Sequence, residues 1–160
     1  MAAYADQGAT LSTRFFKALL AQLEAEASGA QNALRCIDEA LVEADQAAYC
    51  WDLAFAHRLR GDILLKRDPG NAASAADAFK TAIAIAKEQR ARSDELLASL
   101  SLAKLYQSTD RLVDAYSVLA PALEGFTPTP EMPEIAAAQA LLESLARGGG
   151  GAIASKGQAT

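Results

Sequence analysis

Three times along the chain, a small residue is followed after 12 to 14 positions by the run Ala-x3-large apolar-x2-Ala-apolar. The first copy is Ala21 with Ala33, Ile37, Ala40 and Leu41. The second is Gly61 with Ala75, Phe79, Ala82 and Ile83, and the third is Ala103 with Ala115, Leu119, Ala122 and Leu123. The Ala anchors lie 42 and then 40 residues apart, the small residues 40 and then 42. Offsets of three and four place each run on one stripe of a helix. Two antiparallel helices approach most closely where their side chains are smallest. The pattern therefore predicts helical hairpins in which Gly61 faces Ala75 and Ala103 faces Ala115, with the large residue four positions on filling the space beside the crossing. One hairpin cannot bury both of its faces, so successive hairpins must stack, and about three are the minimum.

Composition points the same way. Alanine and leucine occupy 59 of the 160 positions, valine and isoleucine only nine. The first pair heads the helix scale and the second favours strands, so the expected fold class is all-α: a right-handed stack of about three hairpins closed by a C-terminal capping helix. A hydrophobic share of 51% with 22% charged residues rules out a disordered acidic chain.

Glycines and prolines divide the chain into seven expected helices, at about 12–27, 31–47, 50–67, 72–90, 93–108, 111–125 and 131–147. Gly29 marks a hairpin turn, Arg67-Asp68-Pro69-Gly70-Asn71 a second, and Ser108-Thr109-Asp110 a third in which Asp110 suits the cap of the next helix. Thr129 is expected as N-cap with Pro130 at the first helical position. Pro121 should kink or shorten the helix that contains it. Ile135, Ala138, Leu141, Leu142 and Leu145 should cover the open end of the stack. The domain reading is a flexible N-terminus over 1–11, the helical stack over 12–147, and a flexible glycine-rich tail over 148–160.

Charge and chemistry narrow the function. A formal net charge of −5 repels phosphates and anionic lipid, which disfavours nucleic acid and membrane partners. Cys36 and Cys50 have no ligand-type spacing and read as small reduced hydrophobes. With no basic, apolar start over Met1 to Thr10, the expected compartment is cytoplasmic. His57 is the only histidine, so a histidine triad or a two-histidine metal site is excluded. No phosphate-binding glycine loop occurs. The expectation is no enzyme, no catalytic residue, no cofactor and no metal.

Particular stretches resemble a known group. Small residue, Ala, large apolar and Ala at these offsets resemble the tetratricopeptide repeat, with each unit lengthened from 34 to about 40 residues. His57-Arg58-Leu59-Arg60-Gly61-Asp62-Ile63-Leu64-Leu65 is similar to the second repeat of a bacterial family, as are Ser101 to Tyr106 and Leu119-Ala120-Pro121 with Gly125-Phe126-Thr127. That family comprises predicted ATPase and class III adenylate or guanylate cyclase-like signalling proteins, and the resemblance, from about Arg14 to Leu145, is to their C-terminal helical region. It implies a regulatory module, with the cyclase or ATPase chemistry in upstream domains.

In stacked hairpins the first helix of each pair lines a concave groove. The repeat register puts Phe15, Ala18 and Gln22 on that wall, then Arg58, Asp62 and Lys66, then Leu100, Lys104 and Gln107. Three cations and one acid suit a protein or peptide partner carrying carboxylates. His57, Arg58 and Arg60 read either as part of that site or as charges paired on their own and neighbouring helices. Trp51 reads as a packing or interface residue.

Overall fold

The computed structural model describes residues 29–45, 52–70 and 72–153, and within them the chain forms six helices. They are α1 (Ala30–Asp45), α2 (Leu53–Arg67), α3 (Ala72–Gln89), α4 (Arg92–Ser108), α5 (Leu112–Leu123) and α6 (Pro133–Ile153). The expected helix at 12–27, and with it Phe15, Ala18 and Gln22, lies outside the described residues, as do Cys50, Trp51 and the segment 1–11. The class is all-α: the one β feature among the described residues is an isolated bridge between Thr129 and Met132.

Each helix packs on the next, and the short connections at 68–71, 90–91 and 109–111 turn the chain back on itself. Two further contacts skip a helix, α2 with α4 and α4 with α6. Among the described residues, α1 packs on α2 alone. The described helices therefore form an open array, not a bundle closed by α1 and α6. α4 is enclosed by α2, α3, α5 and α6, so it is buried nearly all round, from Leu96 through Ala98, Leu100, Leu102 and Ala103 to Tyr106.

The recurring run forms the core. Ala33, Ile37, Ala40, Ala75, Phe79, Ala82, Ala115, Leu119 and Ala122 are all buried. The close approach at Gly61 is to the Phe79 ring, however. A Cβ at Gly61 would stand 2.7 Å from Phe79 Cδ1 and 2.8 Å from Cζ, with Cε1 nearer still. The expected Gly61–Ala75 crossing is thus corrected by one helical turn. The aromatic ring lies flat in the space that the missing side chain leaves.

Helix ends depart from expectation in three places. Asp110 does not cap α5. It takes a left-handed conformation, φ 59°, two residues past the end of α4, where Asp110 N–H donates to Gln107 O and Arg111 N–H to Tyr106 O. Arg90, φ 56°, repeats the same closure after α3, with Arg90 N–H to Lys87 O and Ala91 N–H to Ala86 O. Both are Schellman turns, which satisfy the last helical carbonyls without a side chain. The final helix begins at Pro133, not after Thr129, so Pro133 takes the place in the first turn that suits a residue without N–H. α6 also continues through Gly148 to Ile153, where a tail was expected from 148. At Gly148 a Cβ would stand 3.4 Å from Leu112 Cδ1 of α5, an ordinary contact distance. α5 ends two residues after Pro121, in agreement with a helix shortened by proline. Ile135, Ala138, Leu141 and Leu145 are buried, with Leu142 packed beside them, so α6 does cover this end of the core.

No helix among the described residues is long and apolar enough to cross a membrane.

Candidate functional site

On α2, Phe55, Arg58, Asp62 and Leu65 recur at three and four and share one stripe; on α4, Asp94, Ser101, Lys104, Leu105 and Ser108 share another. The α2–α4 contact sets the two stripes against each other. Between them lies a cleft of about 550 Å³ lined by Arg58, Asp62, Leu65, Ser101, Lys104 and Ser108, with Pro69 and Phe79 of neighbouring segments.

Arg58 organises the cleft. Its Nη1 donates to Asp62 Oδ2 at 3.1 Å, and its guanidinium lies 5.3 Å from the centre of the Phe55 ring. The side chain retains only 20% of its exposure. Its Nε is buried and has no hydrogen-bond acceptor among the described residues. A buried donor left without an acceptor costs about 1–3 kcal/mol, so this guanidinium has capacity for a further oxygen. Asp62 is also faced by Lys66, by Lys104 and by the Ser101 hydroxyl. Burial nevertheless pushes its carboxyl above the ordinary value, outweighing these partners. Asp94 is raised by burial too, against the opposing pull of Arg58.

The expected groove residues are partly brought together. Arg58, Asp62 and Lys104 line one cleft, and Lys66 is exposed at its edge on the Asp62 side. Leu100 drops out. It is 4% exposed and belongs to the core, because α4 has neighbours on four sides and no free face at that position. Gln107 is exposed but does not line the cleft. The His57-Arg58-Arg60 cluster is split. Arg60 turns to α1 and donates to Asp38 Oδ1 at 2.7 Å. His57 is half-buried, and burial, helped by Arg60, lowers its pKa below 6.5. Cys36 is half-buried against the core.

A larger cavity of about 920 Å³ opens between α1 and α2 and was not foreseen. Its cations are already engaged: Arg35 with Glu39 at 2.9 Å, Arg60 with Asp38, and Arg67 with Gln31 Oε1 at 3.5 Å. Volume alone favours this cavity, but chemistry favours the α2–α4 cleft, where cations outnumber the lining carboxylate and one donor is unsatisfied. Among the described residues no group of His, Cys, Asp and Glu is placed to hold a metal ion.

No family model matches this chain. Neither the curated proteins nor the solved structures gave a match. The functional reading therefore rests on the cleft itself.

Proposed function

We propose that the chain is a non-enzymatic interaction module that holds an acidic segment of a protein partner in the α2–α4 cleft, on a right-handed, tetratricopeptide-like stack of hairpins. Two features of the packing support the stack. Contacts that skip a helix occur only in the series α2, α4, α6 among the described helices, which makes that side the tighter layer. The spacing that recurs in sequence also coincides with the buried positions of α1, α3 and α5.

The observation that carries the binding assignment is the convergence of Arg58, Lys66 and Lys104, from two helices, on a cleft whose buried Arg58 Nε lacks an acceptor. A carboxylate on an extended segment would give the guanidinium a second acceptor beside Asp62, and charged-group hydrogen bonds contribute about 1.5–3 kcal/mol each. Neighbouring acids on the segment would meet the two lysines.

Lys104→Glu tests this best. Lys104 is exposed, whereas reversing the largely buried Arg58 would set a third carboxylate beside Asp62 and Asp94 and unsettle the fold. Fluorescence anisotropy with a labelled glutamate-rich peptide should show binding that weakens as salt rises. The substitution should weaken it about tenfold with little change in melting temperature. Equal affinity for the variant, or for a glutamine-rich control peptide, would refute the assignment.

A further inference from the structure

The cleft already contains an anion of its own. Asp62 is the one carboxylate among its lining residues, and it takes the Arg58 Nη1 hydrogen bond at 3.1 Å. The groups that face it are Arg58 and Lys66 from α2, and Lys104 and the Ser101 hydroxyl from α4. α3 contributes only the Phe79 ring to the cleft. Asp94, also on α4, faces Arg58. Three cations are thus balanced by two carboxylates, and the nearest of these already binds the guanidinium that an incoming anion would share.

An anionic group entering the cleft must share Arg58 with Asp62 or displace it. Two carboxylates a few ångströms apart around one guanidinium do not both stay ionised cheaply, and a displaced Asp62 would lose its closest countercharge. A proton resolves the conflict. Neutral Asp62 no longer competes for the guanidinium, and its hydroxyl can donate to the arriving anion.

We propose that Asp62 is a built-in competitor that sets the specificity of the cleft: it holds the cations against neutral segments and yields them, taking up a proton, to an anionic one. This rests on the cleft being the partner site. Burial already raises the Asp62 carboxyl above its ordinary value, so taking up a proton costs less there than on an exposed carboxylate. The sign follows. A bound anion raises that carboxyl further, so protons are taken up on binding in the window just above the pKa of the free cleft. Affinity is level at high pH, where Asp62 stays ionised even in the complex, rises as pH falls through this window, and levels off again where Asp62 is protonated in the free cleft as well.

The probe is a peptide bearing cysteic acid and a tetramethylrhodamine label, whose sulfonates and dye do not titrate in the range used. Its anisotropy is followed from about pH 8 to about pH 4.5. Wild-type affinity should rise about three- to tenfold on acidification, and calorimetry in buffers of different ionisation enthalpy should show proton uptake. Asp62→Asn should bind at pH 8 about as tightly as the wild type does in acid, with most of the proton uptake gone. Wild-type affinity and undiminished proton uptake in Asp62→Asn would overturn the proposal. Loss of uptake in Asp94→Asn but not in Asp62→Asn would also overturn it, by moving the coupled group to Asp94. Binding by the wild type without pH dependence or proton uptake sinks this proposal alone, and it decides the matter even if Asp62→Asn does not fold. A peptide that binds neither protein at any pH sinks the cleft as partner site, and this proposal with it.

Discussion

Gly61→Ala probes the closest glycine approach among the described residues. The new methyl would meet three atoms of the Phe79 ring, two of them at 2.7 and 2.8 Å, where carbon contacts settle at about 3.5–4.0 Å. The ring has to retreat by about 1 Å, yet Phe79 is fully buried in the core, where a move of that size disturbs its neighbours. Overpacking of this kind costs about 1–3 kcal/mol, and an immobile aromatic ring puts the cost near the top of that range. Against it, alanine gains about 1 kcal/mol over glycine inside a helix. The net loss is about 2 kcal/mol, which for a chain of this size lowers the melting temperature by about 4–8 °C. Urea unfolding followed by far-ultraviolet circular dichroism measures it, and the m-value should stay constant. Phe79→Leu supplies the second leg of a cycle. In the double variant the smaller side chain accepts the methyl, so the two losses should fall short of additivity by about 1 kcal/mol. A Gly61→Ala protein as stable as the wild type, or strictly additive losses, would refute a crossing built on this ring.

Two further outcomes follow from local geometry. Arg90→Gly should raise stability by about 0.5–1 kcal/mol in the same urea assay, because glycine takes the left-handed turn after α3 without the Cβ penalty that arginine bears at φ 56°. For His57, whose folded-state pKa is lowered below 6.5, the unfolded chain binds more protons in the window between the two values. Stability from this site is present above pH 6.5 and is lost as pH falls through the folded value, so His57→Gln should flatten that part of the pH profile. Asp62 and Asp94, raised above 3.8, act with the opposite sign in a more acidic window, where protonation favours the folded state.

Much of the fold was legible because helix crossings leave their mark on single chains. Small residues at fixed intervals announced where helices meet, and Ala33, Ala75 and Ala115 are each completely buried. The partner of Gly61 was misread by one turn because an alanine and a phenylalanine four apart lie on the same stripe. Only the depth of the helix contact decides which of them reaches the glycine. Noticing that the smallest residue of the three, Gly61, comes with the largest, Phe79, would have pointed to the right pair. The cleft was less legible. Arg58, Asp62 and Lys104 were placed on one wall by register, but register says nothing of how α2 and α4 rotate against each other. It therefore did not foresee Asp94 near Arg58 or the Ser101 hydroxyl on Asp62. Leu100 was drawn onto the wall by the same register, although the apolar stripe of its own helix already claimed it. Asp110 has the chemistry of an N-cap and of a left-handed turn residue alike, and the three-residue connection selected the second.

Since every helix touches only the next one or two along the chain among the described residues, almost all the contacts of this core form between segments close in sequence. Little loop-closure entropy stands in the way of folding, which is the condition for speed. Among the described residues the same locality leaves no clasp between the first and last helices. Within them, unfolding can begin at α1, which leans on α2 alone, or at α6, and run inward without first breaking a long-range tie. α4, held by four neighbours, is the last to lose its shelter from solvent, so its amide hydrogens are the slowest to exchange. The cleft opens on one flank of that slow core. Its α4 wall of Ser101 and Lys104 stays in register while the outer helices fray, and the α2 wall bearing Arg58 and Asp62 is the side that breathes.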